Sequence, residues 1–182
     1  MQSRALSLPE VVVFAPSRFE DERGSFFESF NQRLFTDATG FEGWFVQDNH
    51  STSKVGVVRG LHYQLPPHAQ GKLVRVVRGA IFDVAVDVRR SSVNFGKWVG
   101  FELTEVNRQN LWIPPGFAHG FLSLVEGTEV IYKTTEFWNR ESERSIAWDD
   151  ASLAIAWPIR GAPLLSQKDR TAPQLVVAET FQ

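Results

Sequence analysis

From Gly56 to Phe137 the chain is a train of short, strand-length segments, each closed by Gly, Pro or Asn. Residues 56–64, 72–78, 81–88, 96–103, 109–113, 118–125 and 128–137 all read this way, and no helix-length amphipathic sequence separates them. A doubly wound α/β fold needs such helices between its strands. Their lack, with many tight turns, points to an all-β sandwich or barrel. Within 81–88, Phe82, Val84, Val86 and Val88 share one face, the pattern of a half-buried strand. Upstream, residues 8–14 and 44–51 read as strands, and Asp21–Phe30 opens with turn chemistry and runs into another. Gln47, Asn49 and Ser51 fall on one face of 44–51, which implies solvent or a polar cavity. One short helix is expected over 31–39, with Asn31 as N-cap and Gly40 beyond its end. A second helical turn is expected to start near Ser166. No repeat or linker interrupts the chain, so one domain is expected over 1–182.

Bulk properties narrow the function classes. A formal net charge of −2 and no basic stripe argue against nucleic acid or an anionic membrane as partner. With no cysteine there is no thiolate catalysis and no Cys-ligated metal. No apolar run is long enough to span a bilayer and no signal-peptide pattern opens the chain, so a soluble, cytoplasmic protein is expected. Fifteen Phe and six Trp suit either a β-rich core or a pocket that stacks planar groups.

Against this background the stretch Arg59-Gly60-Leu61-His62-Tyr63-Gln64, continuing at Gln70-Gly71-Lys72-Leu73-Val74-Arg75, stands out. It places cations and an imidazole in two apolar strands. A strand interior gains nothing from such groups unless a ligand or a proton transfer uses them. His62 is either a hydrogen-bonded core residue or a base. Arg59, Lys72 and Arg75 are either surface charges or a clamp for phosphate oxygens. Strict alternation puts Arg59 and His62 on opposite faces, and a bulge at Gly60 would bring them together. Tyr132 is either a packed phenol or a proton donor, and Asp169 either a turn cap or the partner that orients His62 and raises its basicity.

Ile113-Pro114-Pro115-Gly116-Phe117-Ala118-His119-Gly120-Phe121 carries the Pro-x-Gly-x-x-His pattern often found in cupin jelly rolls. The His-x-His of metal-binding cupins is missing, because Tyr63 and Gln64 follow His62, so the ligand count for a metal is poor.

Taken with Asp21-x-Arg23-Gly24-x-Phe26-x-Glu28, Gln47-x-Asn49, Tyr132-Lys133-Thr134-Thr135 and Leu165-Ser166-x-Lys168-Asp169, the chain resembles the dTDP-4-dehydrorhamnose 3,5-epimerase family, cofactor-free cupin sugar-nucleotide epimerases, from Leu8 to Pro173. It departs at Ser92-Val93-Asn94-Phe95-Gly96, where Ser-Pro-Thr-Phe-Gly is usual, and at Trp138, where Tyr is common. The resemblance implies a cupin-type jelly-roll barrel with short peripheral helices and no cofactor or metal. It implies His62 as base, Asp169 as its dyad partner and Tyr132 as the acid across the sugar. By the same resemblance Arg23, Glu28, Gln47, Asn49, Arg59, Lys72, His119, Glu143 and Lys168 contact a dTDP-sugar, and Trp138 stacks on thymine. A homodimer is implied, the N-terminal strands (about 1–30) reaching the neighbour's site through Arg23 and Glu28. The implied reaction inverts dTDP-4-dehydro-6-deoxy-D-glucose at carbons 3 and 5. Alternatives are inversion at one carbon, a non-catalytic sugar-nucleotide-binding cupin, and a metal-dependent cupin.

Overall fold

The computed structural model describes residues 1–182. Its strands are β1 (Gln2–Ala5), β2 (Val12–Ala15), β3 (Arg18–Asp21), β4 (Gly24–Phe27), β5 (Gln47–Ser53), β6 (Val58–Gln64), β7 (Lys72–Arg78), β8 (Ala80–Asp87), β9 (Trp98–Thr104), β10 (Asn110–Ile113), β11 (Phe117–Ser123), β12 (Thr128–Thr134) and β13 (Glu143–Ser145). Two helices, α1 (Gln32–Thr39) and α2 (Gln167–Arg170), complete it. Strands pack as a six-stranded sheet, β1-β2-β10-β7-β12-β5, and a five-stranded sheet, β13-β6-β11-β8-β9, with β3 and β4 forming a separate hairpin. Every pairing within these sheets is antiparallel. This is the expected all-β jelly roll with small peripheral helices.

The inter-sheet core draws Val74, Val76, Leu111, Ile113 and Val130 from one sheet and Ile81, Ala85, Leu103 and Phe121 from the other. Each large aliphatic side chain buried there stabilises the sandwich by about 1.5–3 kcal/mol. Outside the six-stranded sheet, α1 lays Phe35 over Val12, Phe14, Leu73 and Trp112. Its ends follow from its sequence: the Asn31 side chain accepts from the Leu34 N–H, and Gly40 takes the left-handed conformation (φ 68°) that closes the last turn.

The sequence reading is corrected in several places. The first expected strand begins only at Val12, after a turn that sends Leu8 and Val11 into the core. The strand expected from Trp44 starts at Gln47, while Phe45 packs beside α1. β8 is buried on both faces rather than one, because Ile146, Leu153, Leu175 and Ala178 from the C-terminal segment cover Val84, Val86 and Val88. Asp83 and Asp87 lie on the opposite face, with Ile81 and Ala85, which turns toward the other sheet, so they are inside the protein although alternation assigns them to solvent.

Candidate active site

β6 and β11 lie side by side in the five-stranded sheet, and His62 and His119 are direct cross-strand partners. One step further the register shifts: Arg59 pairs with Phe121, so Gly60 and Leu61 together face Gly120. This is the bulge that brings Arg59 to the same side as His62. Gly60 is required for it. Its φ is 120°, and a Cβ there would stand 2.5 Å from Gly120 Cα and 2.7 Å from the His119 carbonyl oxygen.

Across the sandwich, β7 contributes Lys72, β12 contributes Tyr132 and β5 contributes Ser51. All of these, with Arg59, His62, His119, Phe121, Ser166 and Asp169, line one cavity of about 240 Å³. The imidazole and the phenol therefore face the same space from opposing sheets.

Each group is held in place. His62 Nε2 lies 2.6 Å from Asp169 Oδ1; the imidazole is 27 % exposed and the carboxylate 4 %. Ser166 caps α2 and its hydroxyl donates to Asp169 Oδ2 at 2.7 Å. Burial would raise the Asp169 carboxyl, but its bonds from His62 and Ser166 outweigh burial and hold it below the usual range. With Nε2 engaged by a carboxylate, the nitrogen of His62 free to take a proton is Nδ1. Burial lowers the His62 pKa below 6.5, helped by Lys168 and Lys72 and only partly offset by Asp169. Asp169 does act in the expected direction, raising the basicity of His62, but burial imposes a larger loss that the carboxylate only limits. Tyr132 moves the other way, its pKa raised by burial, so it carries its proton at neutral pH. Lys72 is almost fully enclosed, its Nζ donating to the His62 carbonyl at 3.3 Å, and burial lowers its pKa to about 8.

The remaining expected residues fall into three sets. Arg59 lines the cavity with its guanidinium held by the Ser53 hydroxyl (3.1 Å) and the Thr52 carbonyl (3.1 Å). Gln47, Asn49 and Trp138 form one cluster: Gln47 Nε2 donates to Asn49 Oδ1 at 3.0 Å, and the Trp138 N–H donates to Gln47 Oε1 at 3.1 Å. The Trp138 ring is left exposed. Glu143 pairs with Lys168 at 2.7 Å and stays ionised, because Lys168 and Trp138 more than offset its burial. Arg23 and Glu28 do not reach the cavity within this chain. Arg23 sits exposed at the tip of the β3–β4 hairpin, paired with Asp21 at 2.6 Å, and Glu28 is exposed just past β4.

Sequence reasoning did not single out Ser166, Phe121 or Asp83 as site residues. Ser166 had a readable signal, an N-cap three residues before Asp169. Asp83 had a weaker one, a carboxylate alternating with valines on a strand.

Fold and site together define a cupin-type jelly roll whose one cavity is faced by an imidazole from one sheet and a phenol from the other. No three His, Asp or Glu side chains converge as a cation-binding set. Residues 5–176 match the model of the dTDP-4-dehydrorhamnose 3,5-epimerase family. A protein of that name from Pseudomonas aeruginosa is 54% identical over 181 residues, covering 100% of this chain and 99% of its own. Among solved structures, a dTDP-6-deoxy-D-glucose-3,5-epimerase from Legionella pneumophila in complex with dTDP-4-keto-L-rhamnose superposes with TM-score 0.94 at 42% identity, covering 100% of this chain and 98% of that one. A 3′-monoepimerase from Streptomyces bikiniensis in complex with dTDP-quinovose gives TM-score 0.90 at 34% identity, covering 95% and 87%. The chain belongs to the dTDP-4-dehydrorhamnose 3,5-epimerase family.

Proposed function

We propose that the protein epimerises dTDP-4-dehydro-6-deoxy-D-glucose at carbons 3 and 5, with His62 as base, Asp169 as the carboxylate that orients it and Tyr132 as acid. The observation that carries this reading is the single cavity that a carboxylate-tethered imidazole and a protonated phenol enter from opposite sheets. A ketone at carbon 4 acidifies the protons on both flanking carbons, so one base can serve both. His62 Nδ1 takes such a proton, and the electron pair left behind moves onto the carbonyl oxygen as an enolate. Cationic or donor groups fixed beside that oxygen lower the barrier, and Lys72 and His119 are the ones at hand. Tyr132 then returns a proton to the opposite face and the centre is inverted. No electron leaves the sugar, so the reaction needs no redox partner.

Arg59 supplies charge for the diphosphate end of the substrate, with the Glu143–Lys168 pair at the rim. The exposed Trp138 ring, anchored through Gln47, offers a face for thymine. Arg23 and Glu28 enter this scheme from a second copy. Two features favour such a homodimer: the hairpin stands apart from both sheets, and its cross-strand pair Phe19 and Phe26 is 65% and 70% exposed. The reading is of one domain over 1–182, working in the cytoplasm; no helix is long and apolar enough to cross a membrane.

Turnover in heavy water tests the reaction. Deuterium at carbons 3 and 5 of the product, lost in His62→Ala, is expected. Deuterium at one carbon alone would move the protein to the single-centre reading that its likeness to the 3′-monoepimerase favours.

A further inference from the structure

The cavity holds a second imidazole–carboxylate pair. His119 Nε2 lies 2.6 Å from Asp83 Oδ1, with the imidazole 7% exposed and the carboxylate 0%. The geometry repeats that of His62 and Asp169, and the two imidazoles sit opposite each other on paired strands. Asp83 comes from β8, on the far side of β11 from β6. Its cross-strand neighbours are Phe121 and Phe101, so it is surrounded by apolar groups. Unlike Asp169, which is also bonded to Ser166, Asp83 has a buried oxygen, Oδ2, with no hydrogen-bond partner.

Stability alone gives no reason for this arrangement. A carboxylate enclosed among aromatic rings with half of its bonding capacity unused is destabilising relative to an apolar residue of the same volume. It persists at low cost only beside positive charge. The Lys72 ammonium supplies part of it from across the cavity, and His119, the group Asp83 touches, supplies more when its ring carries both protons. With Nε2–H directed at Asp83, the remaining ring nitrogen, Nδ1, has no partner in the chain and belongs to a side chain that lines the cavity.

We infer that Asp83 is a positioning residue for the epimerisation: it fixes the His119 ring and balances its second proton, so that Nδ1–H is held ready for the carbon-4 oxygen as the enolate forms. This rests on the proton-transfer reading of the cavity given above. The two pairs then divide the work. Asp169 keeps His62 in the tautomer that accepts a proton at Nδ1. Asp83 keeps His119 in the form that donates from the same atom. No proton is transferred by His119; its bond shortens as negative charge gathers on the oxygen, which is where a preorganised donor lowers a barrier.

The test uses the full chain and three variants, Asp83→Asn, His119→Gln and the double variant. Losing one such donor costs about 100-fold or more in kcat, with little change in KM because the bond strengthens only in the transition state. Asp83→Asn and His119→Gln are each expected to show that split. The double variant is expected to be no slower than His119→Gln alone, since the carboxylate acts through the imidazole. Wild-type kcat in Asp83→Asn, or losses that multiply in the double variant, would overturn the proposal. A second measurement does not depend on the variants folding: nitrogen NMR of the wild-type His119 ring at the pH of maximal kcat. Both nitrogens protonated is the expected signature, and a single protonated nitrogen refutes the inference. Failure of the epimerase reading itself would appear separately, as a wild-type enzyme that incorporates no solvent deuterium.

Discussion

Replacing Asp169 with Ala and with Asn separates two things the carboxylate does for His62. The bond between them is short and charge-assisted, 2.6 Å from Nε2 to Oδ1. Such bonds contribute about 1.5–3 kcal/mol, and each 1.36 kcal/mol of barrier is about tenfold in rate. Asp169→Ala is therefore expected to lower kcat by roughly 10- to 150-fold. Asp169→Asn looks milder in shape and should be worse in effect. Asp169 Oδ2 accepts from the Ser166 hydroxyl at 2.7 Å. An amide that keeps its oxygen there must turn its NH₂ toward His62 Nε2. That forces the ring proton onto Nδ1, the atom needed as base, and a wrong tautomer of this kind costs up to about 10,000-fold. The pH profile gives an independent check. As the proposed base, His62 works unprotonated, so activity is expected to fall as pH drops through its pKa. Asp169 raises that pKa while burial, Lys168 and Lys72 lower it. Removing the carboxylate lowers it further, so in Asp169→Ala the acid limb should move to lower pH even as the plateau falls. Steady-state turnover across pH reads both effects. An Asn variant as fast as the Ala variant, or an acid limb that moves upward, would refute the reasoning.

Three further outcomes follow from the geometry. Tyr132→Phe removes the phenolic proton but leaves His62 in place, so kcat should fall about 100- to 10,000-fold while the substrate still exchanges protons with heavy water from the His62 face; loss of that exchange as well would count against Tyr132 as the acid. Lys72 has its pKa lowered to about 8 by burial, and an ammonium loses its charge as pH rises, so kcat should decline above about pH 8 and Lys72→Arg should remove that decline in a pH–rate measurement. Gly60→Ala should destabilise by about 2–6 kcal/mol, combining a positive φ with a forced backbone clash; calorimetry should find Tm lower by roughly 5–20 °C, and an unchanged Tm would mean the bulge tolerates a side chain.

Much of this was readable from the residues, and the failures have physical causes. The bounds of α1 were written locally, in Asn31 and Gly40, and the structure uses both caps as expected. Gly60 between Arg59 and His62 was enough to suggest the bulge, because only glycine permits the backbone it needs. β1, β3 and β13 were missed: they are four, four and three residues long and carry no buried apolar alternation. The burial of β8 on both faces depends on chain more than fifty residues away in sequence, Ile146 to Ala178. Strand periodicity carries no trace of such a cover: it marks one buried face, the valines, and is silent on the second, where Ile81, Asp83 and Ala85 turn toward the opposing sheet. For His62 the upward pull of Asp169 was legible in the sequence, but the burial that outweighs it comes from the whole cavity wall and has no local signature.

One consequence of the sandwich lies in its mechanics. The proposed base and acid, His62 and Tyr132, belong to different sheets, and face-to-face sheets stand about 10 Å apart. That gap acts as a gauge for whatever ring is clasped in it: one layer reaches the lower side of the sugar and the other reaches the upper. Handedness is thus decided by architecture rather than by any single side chain. A substitution in the apolar filling between the layers, remote from every ionisable group, would alter the grip on the ring and could loosen stereochemical fidelity before the barrel itself gave way.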